Sequence, residues 1–179
     1  MSLLALGGVA TLPRAKGVRA QEDVLALALA AEELAREVYR RAVAARPFRG
    51  PWAAYLEAAL AQEEEHARRL REALGRQPAL RFRLPEVFQS PILLLRLLES
   101  LEEAFVGAYL GALPLLEGEA LRLAGAILGV EAGHRVLVRQ ARLELQDPLL
   151  RPPFVANDRA LEQALSPEGA REALKPYLP

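Results

Sequence analysis

The 179-residue chain has two histidines, and each follows a glutamate by three positions: Glu63-x-x-His66 and Glu131-x-x-His134. On a helix, side chains at i and i+3 share a face, so each pair can grip one cation with a carboxylate oxygen and an imidazole nitrogen. With glutamate at 20 of 179 positions, two such coincidences have a chance of roughly one in eighty.

A longer repeat strengthens that reading. Glu32 is followed seven residues later by Tyr39, and Glu102 seven residues later by Tyr109; each precedes one of the Glu-x-x-His pairs. The first set aligns with the second at an offset of 70 residues, which also matches Ala42 with Ala112. The pairs themselves align at 68, matching Leu60 with Leu128. Two similar hairpins related by a pseudo-twofold would bring Glu32, Glu63, His66, Glu102, Glu131 and His134 to the centre of one bundle.

The residue types say what such a cluster could do. Four carboxylates neutralise two divalent ions, bridge them, and leave coordination positions free for dioxygen or peroxide. Carboxylate oxygen with imidazole nitrogen suits iron or manganese, and the lack of thiolates argues against a structural zinc site. Without metal, four crowded carboxylates would take up protons, with raised pKa values. Metal binding should therefore stabilise the fold.

Composition narrows the classes further. Lys+Arg and Asp+Glu are both 23, so no global charge bias points to nucleic acid or an anionic membrane. There are no cysteines, which excludes disulfides, iron–sulfur clusters and a cysteine nucleophile. Alanine, leucine, glutamate and arginine dominate, favouring an all-α chain.

Four long helical patterns must position the cluster. The first runs from about Gln21 to Ala45, ahead of the breakers Pro47 and Gly50. The second starts at Pro51, reaches about Leu74 and stops at Gly75; the third runs from Pro91 to about Ala112, ahead of Pro114. The fourth spans about Gly118 to Leu145. Short links imply two antiparallel hairpins. Between them, residues 76–90 show no helical period, and fifteen extended residues reach roughly 50 Å. A helix of about 24 residues is only ~36 Å long. The link can therefore return along the whole bundle, giving two hairpins joined by one long crossover.

These segments resemble the ferritin-like superfamily, and most nearly its bacterial ferritin-like domain family, which includes desiccation-related proteins. The likeness lies in LALALAAEELAREVY (residues 25–39), EEEHARRL (63–70), LEEAFVGAYLGA (101–112) and LGVEAGH (128–134), and spans about residues 21–145. It implies a ferritin-like four-helix bundle with a dinuclear metal centre, and maps the ligands onto Glu32, Glu63, His66, Glu102, Glu131 and His134. No rubredoxin-like cysteine module is present, so a rubrerythrin-type electron relay is not supported.

Several alternatives stay open on sequence alone. The Glu-x-x-His pairs could be solvated helix polarity. Glu33 and Glu103 could be the inward members in place of Glu32 and Glu102, and only the tyrosine spacing favours the latter. Glu64 and Glu65 should face water. Tyr39 and Tyr109 are either core aromatics or partners of the ligands. Arg68, Arg69 and Arg135 are surface or carboxylate-pairing residues.

The ends of the chain carry less. Residues 2–12 are apolar, and Val18 and Ala20 occupy the small-residue positions of an export-signal cleavage region, but no basic stretch precedes them. Residues 1–20 are thus an apolar arm or a signal-like remnant, leaving cytoplasmic and exported locations both open. Residues 21–147 form the bundle. Residues 148–179 should pack on it with two short helices, one capped by Asn157 and one starting at Ser166-Pro167-Glu168.

The expected function is binding of two iron ions, or manganese, with oxidation of ferrous iron or reaction with dioxygen or peroxide. The rivals are a metal-binding stress-protection protein with little turnover and a manganese catalase-like peroxide dismutation. No nucleic acid or transmembrane span is expected, and a homo-oligomer is possible.

Overall fold

The computed structural model describes residues 12–76, 78–150 and 154–179, the first five as backbone alone. Five α-helices form among them: α1 (Leu12–Ala45), α2 (Pro51–Leu74), α3 (Pro91–Ala112), α4 (Gly118–Glu144) and the short α5 (Pro167–Leu174). No described segment is a strand.

Local chemistry sets most boundaries. Pro51, Pro91 and Pro167 each sit in a first helical turn, where a missing N–H costs no hydrogen bond. Ser90 caps α3 by accepting from the Leu93 N–H, and Ser166 caps α5 by accepting from Gly169. Gly75 ends α2 in the left-handed conformation, φ 68°, returning its N–H to the Arg71 carbonyl. Between α3 and α4, Pro114 lies in a 3₁₀ turn, Leu113–Leu115.

One boundary differs from the sequence expectation. α1 is already helical at Leu12, the first described residue, rather than from near Gln21, so residues 12–20 belong to the helix. Residues 1–11, most of the signal-like stretch, lie outside the described residues.

Reciprocal contacts fix the directions of the helices. Glu33 meets Arg71 while Tyr39 meets Tyr55, so α1 and α2 are antiparallel. Tyr39 reaches Glu102 while Tyr109 reaches Glu32, which makes α1 and α3 antiparallel as well. Trp52 bonds Glu144 while Gln62 bonds His134, setting α2 antiparallel to α4. It follows that α2 and α3 run parallel. Residues 76–90 provide the required crossover: the described ones contain no helix, lay Phe82, Leu84, Val87 and Phe88 on the core, and bond Tyr177 through the Arg83 N–H.

The core is split in two along the bundle. One apolar cluster holds Leu34, Val38, Leu56, Leu94, Leu98 and Phe105; the other holds Leu25, Leu29, Leu70, Ala124 and Ile127. Between them lies a polar belt: Glu32, Glu63, Glu102 and Glu131 are each 0% exposed, and His66 and His134 are 8% and 2% exposed. Burying four such carboxylates without partners would be very costly.

The C-terminal segment covers one face but forms one helix before its final 3₁₀ turn, not two. The helix expected after Asn157 is absent; residues 154–166 are bends and extended chain. That backbone finds its partners on the bundle instead. Leu165 N–H donates to the Gly107 carbonyl at 2.8 Å, and Arg139 donates to the Ala156 carbonyl at 2.9 Å. Gly111 permits the approach: a Cβ there would stand 1.8 Å from the Leu165 carbonyl oxygen. Side chains add to the attachment, Arg135 pairing with Glu162 and Arg139 with Asp158, both at 2.6 Å. Arg135 is thus a buried carboxylate-pairing residue.

No helix among the described residues is long and apolar enough to cross a membrane.

Candidate metal centre

Each bundle helix delivers part of the site because its inward face carries the right residue at mid-length. α1 brings Glu32, α3 brings Glu102, and α2 and α4 each bring a carboxylate and an imidazole one turn apart. The six side chains form two groups of four. Glu32, Glu63, His66 and Glu131 can offer ligand atoms all within 4.8 Å of one another; so can Glu63, Glu102, Glu131 and His134. Glu63 and Glu131 belong to both groups.

The two halves match closely. His66 Nδ1 lies 2.9 Å from Glu131 and 3.5 Å from Glu63, whereas His134 Nδ1 lies 3.0 Å from Glu63 and 3.6 Å from Glu131. The outer carboxylates are held crosswise: the Tyr109 hydroxyl donates to Glu32 at 2.5 Å and the Tyr39 hydroxyl to Glu102 at 2.6 Å. The repeat read in sequence is therefore a twofold relation in space, and both tyrosines bond the cluster.

Glu33 and Glu103 point elsewhere. Glu33 accepts from Arg36 and Arg71 on the outer flank of α1, and Glu103 pairs with Arg159 of the C-terminal segment. Glu64 and Glu65 face solvent, as expected, and Arg68 and Arg69 pair with Glu65 on that surface.

The donor set fits metal ions better than it fits itself. Both oxygens of Glu63 and of Glu131, Glu102 Oε2 and His134 Nδ1 are buried without a hydrogen bond. Imidazole nitrogens stand close by, but off the directions a hydrogen bond needs. Buried polar atoms converging without mutual satisfaction mark a place where a cation could supply the missing partner.

Without a cation, the ionisation of these groups is redistributed. Burial, then the neighbouring Glu131 and Glu63 charges, raise the Glu32 and Glu102 pKa values well above the usual carboxylate range. Glu63 goes the other way, against the expectation that crowding raises such groups. Burial pushes it up, but the close imidazoles of His134 and His66 outweigh that and hold it down to about 2. Burial also opposes the charge on His66, yet Glu131 and Glu32 lift it to about 12; His134, held by Glu131 and Glu63, rises to about 9. Two imidazolium ions thus stand in part for the missing positive charge.

Two contributors lack a sequence signal as clear as the repeat. Gln62 Oε1 lies 2.7 Å from His134 Nε2, and Tyr55 shares a 2.9 Å hydroxyl contact with Tyr39. Tyr55 also packs against His134, ring centroids 6.1 Å apart. Tyr55 stands eight residues before Glu63, two turns along the same face, a spacing that could have flagged it. Gln62 has no such signal, because its repeat mate is Val130.

Comparison with known proteins agrees with the fold. A model of the ferritin-like domain matches residues 20–144, which include all four bundle helices except the first residues of α1. No curated protein matches the chain. On that match, together with the helical bundle and its buried carboxylate–histidine belt, the chain belongs to the ferritin-like domain family.

Proposed function

We propose that this protein binds two metal ions, iron or manganese, and uses them to react with dioxygen or peroxide, with ferrous iron oxidised in the process. The observation that carries the reading is the pair of four-residue groups sharing Glu63 and Glu131. Glu32 and His66 would hold one ion, Glu102 and His134 the other, and Glu63 and Glu131 would bridge them. Four carboxylates balance two divalent charges, so the loaded belt would be neutral inside an apolar bundle.

Two adjacent ions, when bound, supply a site where an oxidant can be reduced by one electron from each. The protein's own groups supply the rest. Tyr39 and Tyr109 orient the outer carboxylates by donating to them. Gln62 accepts from His134 Nε2–H, so that when the ring gives up a proton it is Nδ1 that is left free toward the carboxylates. The apolar clusters above and below the belt limit water.

A second reading, a metal-holding stress-protection protein with little turnover, draws support from the burial of every proposed ligand. One experiment separates the readings. Metal-free protein is loaded with ferrous iron under argon, and dioxygen and hydrogen peroxide are then added separately while ferric absorbance and oxidant consumption are followed. Repeated turnover with excess ferrous iron supports the oxidising reading. Stoichiometric uptake without turnover supports the second, and rapid dismutation of peroxide by the manganese-loaded form would favour a catalase-like activity.

A further inference from the structure

The twofold match of the site stops at the groups just outside it. Gln62 Oε1 accepts from His134 Nε2, and the Tyr39 and Tyr55 rings pack on His134 with centroids 5.8 Å and 6.1 Å away. In the repeat, Gln62 corresponds to Val130 and Tyr55 to Leu123, neither of which can hydrogen-bond through its side chain. Among the described residues His66 Nε2 has no hydrogen-bond partner, and no ring packs on His66. His66 also keeps 8% of its surface exposed, against 2% for His134.

A ring held at its far nitrogen and on its faces is already in place when a cation arrives. It also presents a single tautomer. A ring fixed only by the carboxylates it would serve must give up both freedoms on binding. Outer partners of this kind change metal affinity by about 10- to 100-fold. The more exposed ring also gives a cation the shorter way in and out.

We infer that the two metal positions are unequal. The Glu102–His134 position fills first and retains its ion; the Glu32–His66 position is the exchangeable one. Gln62 is the positioning residue that sets most of the difference. The inference rests on the dinuclear reading above and deepens it. A ferrous ion that enters as substrate and leaves oxidised would use the exchangeable position, and the retained ion, oxidised in the same step, would be re-reduced by a further ferrous ion arriving there.

The test titrates metal-free protein with manganous ion, following free manganese by its magnetic resonance signal and binding heat by calorimetry. The native chain should show two steps separated by at least about tenfold in affinity. Gln62→Leu should weaken the first step by about 10- to 100-fold and leave the second unchanged, while Gln62→Glu, which keeps an acceptor, should preserve the separation. Anomalous diffraction at one equivalent of manganese should place the ion beside His134. Gln62 is exposed, so neither variant threatens the core. Two equal steps in the native chain would overturn the inference, as would equal weakening of both steps in Gln62→Leu or a first ion beside His66. Failure to take up any manganese, iron or cobalt would remove the dinuclear reading itself.

Discussion

Tyr39 of α1 donates its hydroxyl to Glu102 of α3 at 2.6 Å, locking together two residues 63 positions apart in sequence. Both are buried, so the bond is formed away from competing water. Its symmetry mate joins Tyr109 to Glu32. The tyrosines therefore couple the two hairpins and aim the outer carboxylates at once.

Removing one hydroxyl tests both roles. Tyr39→Phe should cost about 1 kcal/mol of stability, the worth of one ordinary hydrogen bond. It should also weaken metal binding by about tenfold or more, since Glu102 loses the donor that orients it. Calorimetric titration beside thermal unfolding reads the two separately. Unchanged metal affinity would reduce Tyr39 to a core aromatic.

The choice between neighbouring glutamates can be read the same way. Glu32→Ala and Glu102→Ala should each bring uptake at saturating metal down from about two ions to about one, on the two-ion reading. Glu33→Ala should leave binding intact and lower the melting temperature, because it strands Arg36 and Arg71 on the flank of α1. Glu103→Ala should change little beyond loosening Arg159. Metal analysis of the four variants decides the register.

How much of this was legible follows from where the information lies. The Glu-x-x-His pairs and the Glu–Tyr spacing are local patterns on single helices, so their repetition could be seen along the chain. The crossover could be inferred from length alone, since residues 76–90 are long enough to return. Gln62 acts only through His134, 72 positions away, and nothing in its own neighbourhood announces that. The C-terminal segment misled for a related reason. Asn157 is a good helix cap, but Leu165 and Ala156 bond Gly107 and Arg139 across the chain, and tertiary partners overrode local propensity.

Gly111 offers a sharp test of that C-terminal attachment. Gly111→Ala would put a methyl 1.8 Å from the Leu165 carbonyl oxygen, so the segment must shift. The overpacking should cost about 1–3 kcal/mol, offset in part by alanine's better helix propensity. Limited proteolysis should then cut between residues 154 and 166 sooner than in the native chain. Gly125→Ala in α4, where a Cβ meets nothing within 4 Å, is the control and should not destabilise. Equal protease resistance in both variants would show that the close approach at Gly111 does not hold the segment down.

The last prediction joins metal, protons and stability. In the metal-free protein His66 is raised from 6.5 to about 12 and His134 from 6.5 to about 9. A raised folded-state pKa means the folded protein holds the proton more tightly than the unfolded chain. The stability this gives is complete below pH 6.5 and is lost as pH rises, through about 9 for His134 and about 12 for His66. The raised carboxyls of Glu32 and Glu102 act in the same direction, their contribution fading as pH rises through their folded values. Glu63 acts oppositely: held down to about 2, it contributes above 4.5 and loses that contribution as pH falls toward about 2. The metal-free bundle should therefore be most stable near pH 4–5, where Glu63 is charged and Glu32 and Glu102 keep their protons, and melt lower on either side. Metal must displace the protons on His66 and His134, so binding should release more than one proton per chain at pH 7 and tighten as pH rises. The stabilisation by saturating iron or manganese should accordingly be larger at pH 7 than at pH 5. Thermal melts of metal-free and loaded protein from pH 4 to 9, with calorimetry in buffers of different ionisation heat, measure both effects. Identical melting with and without metal at pH 7 would mean these six residues do not form the site, and binding without proton release would mean the histidines are not charged in the empty belt.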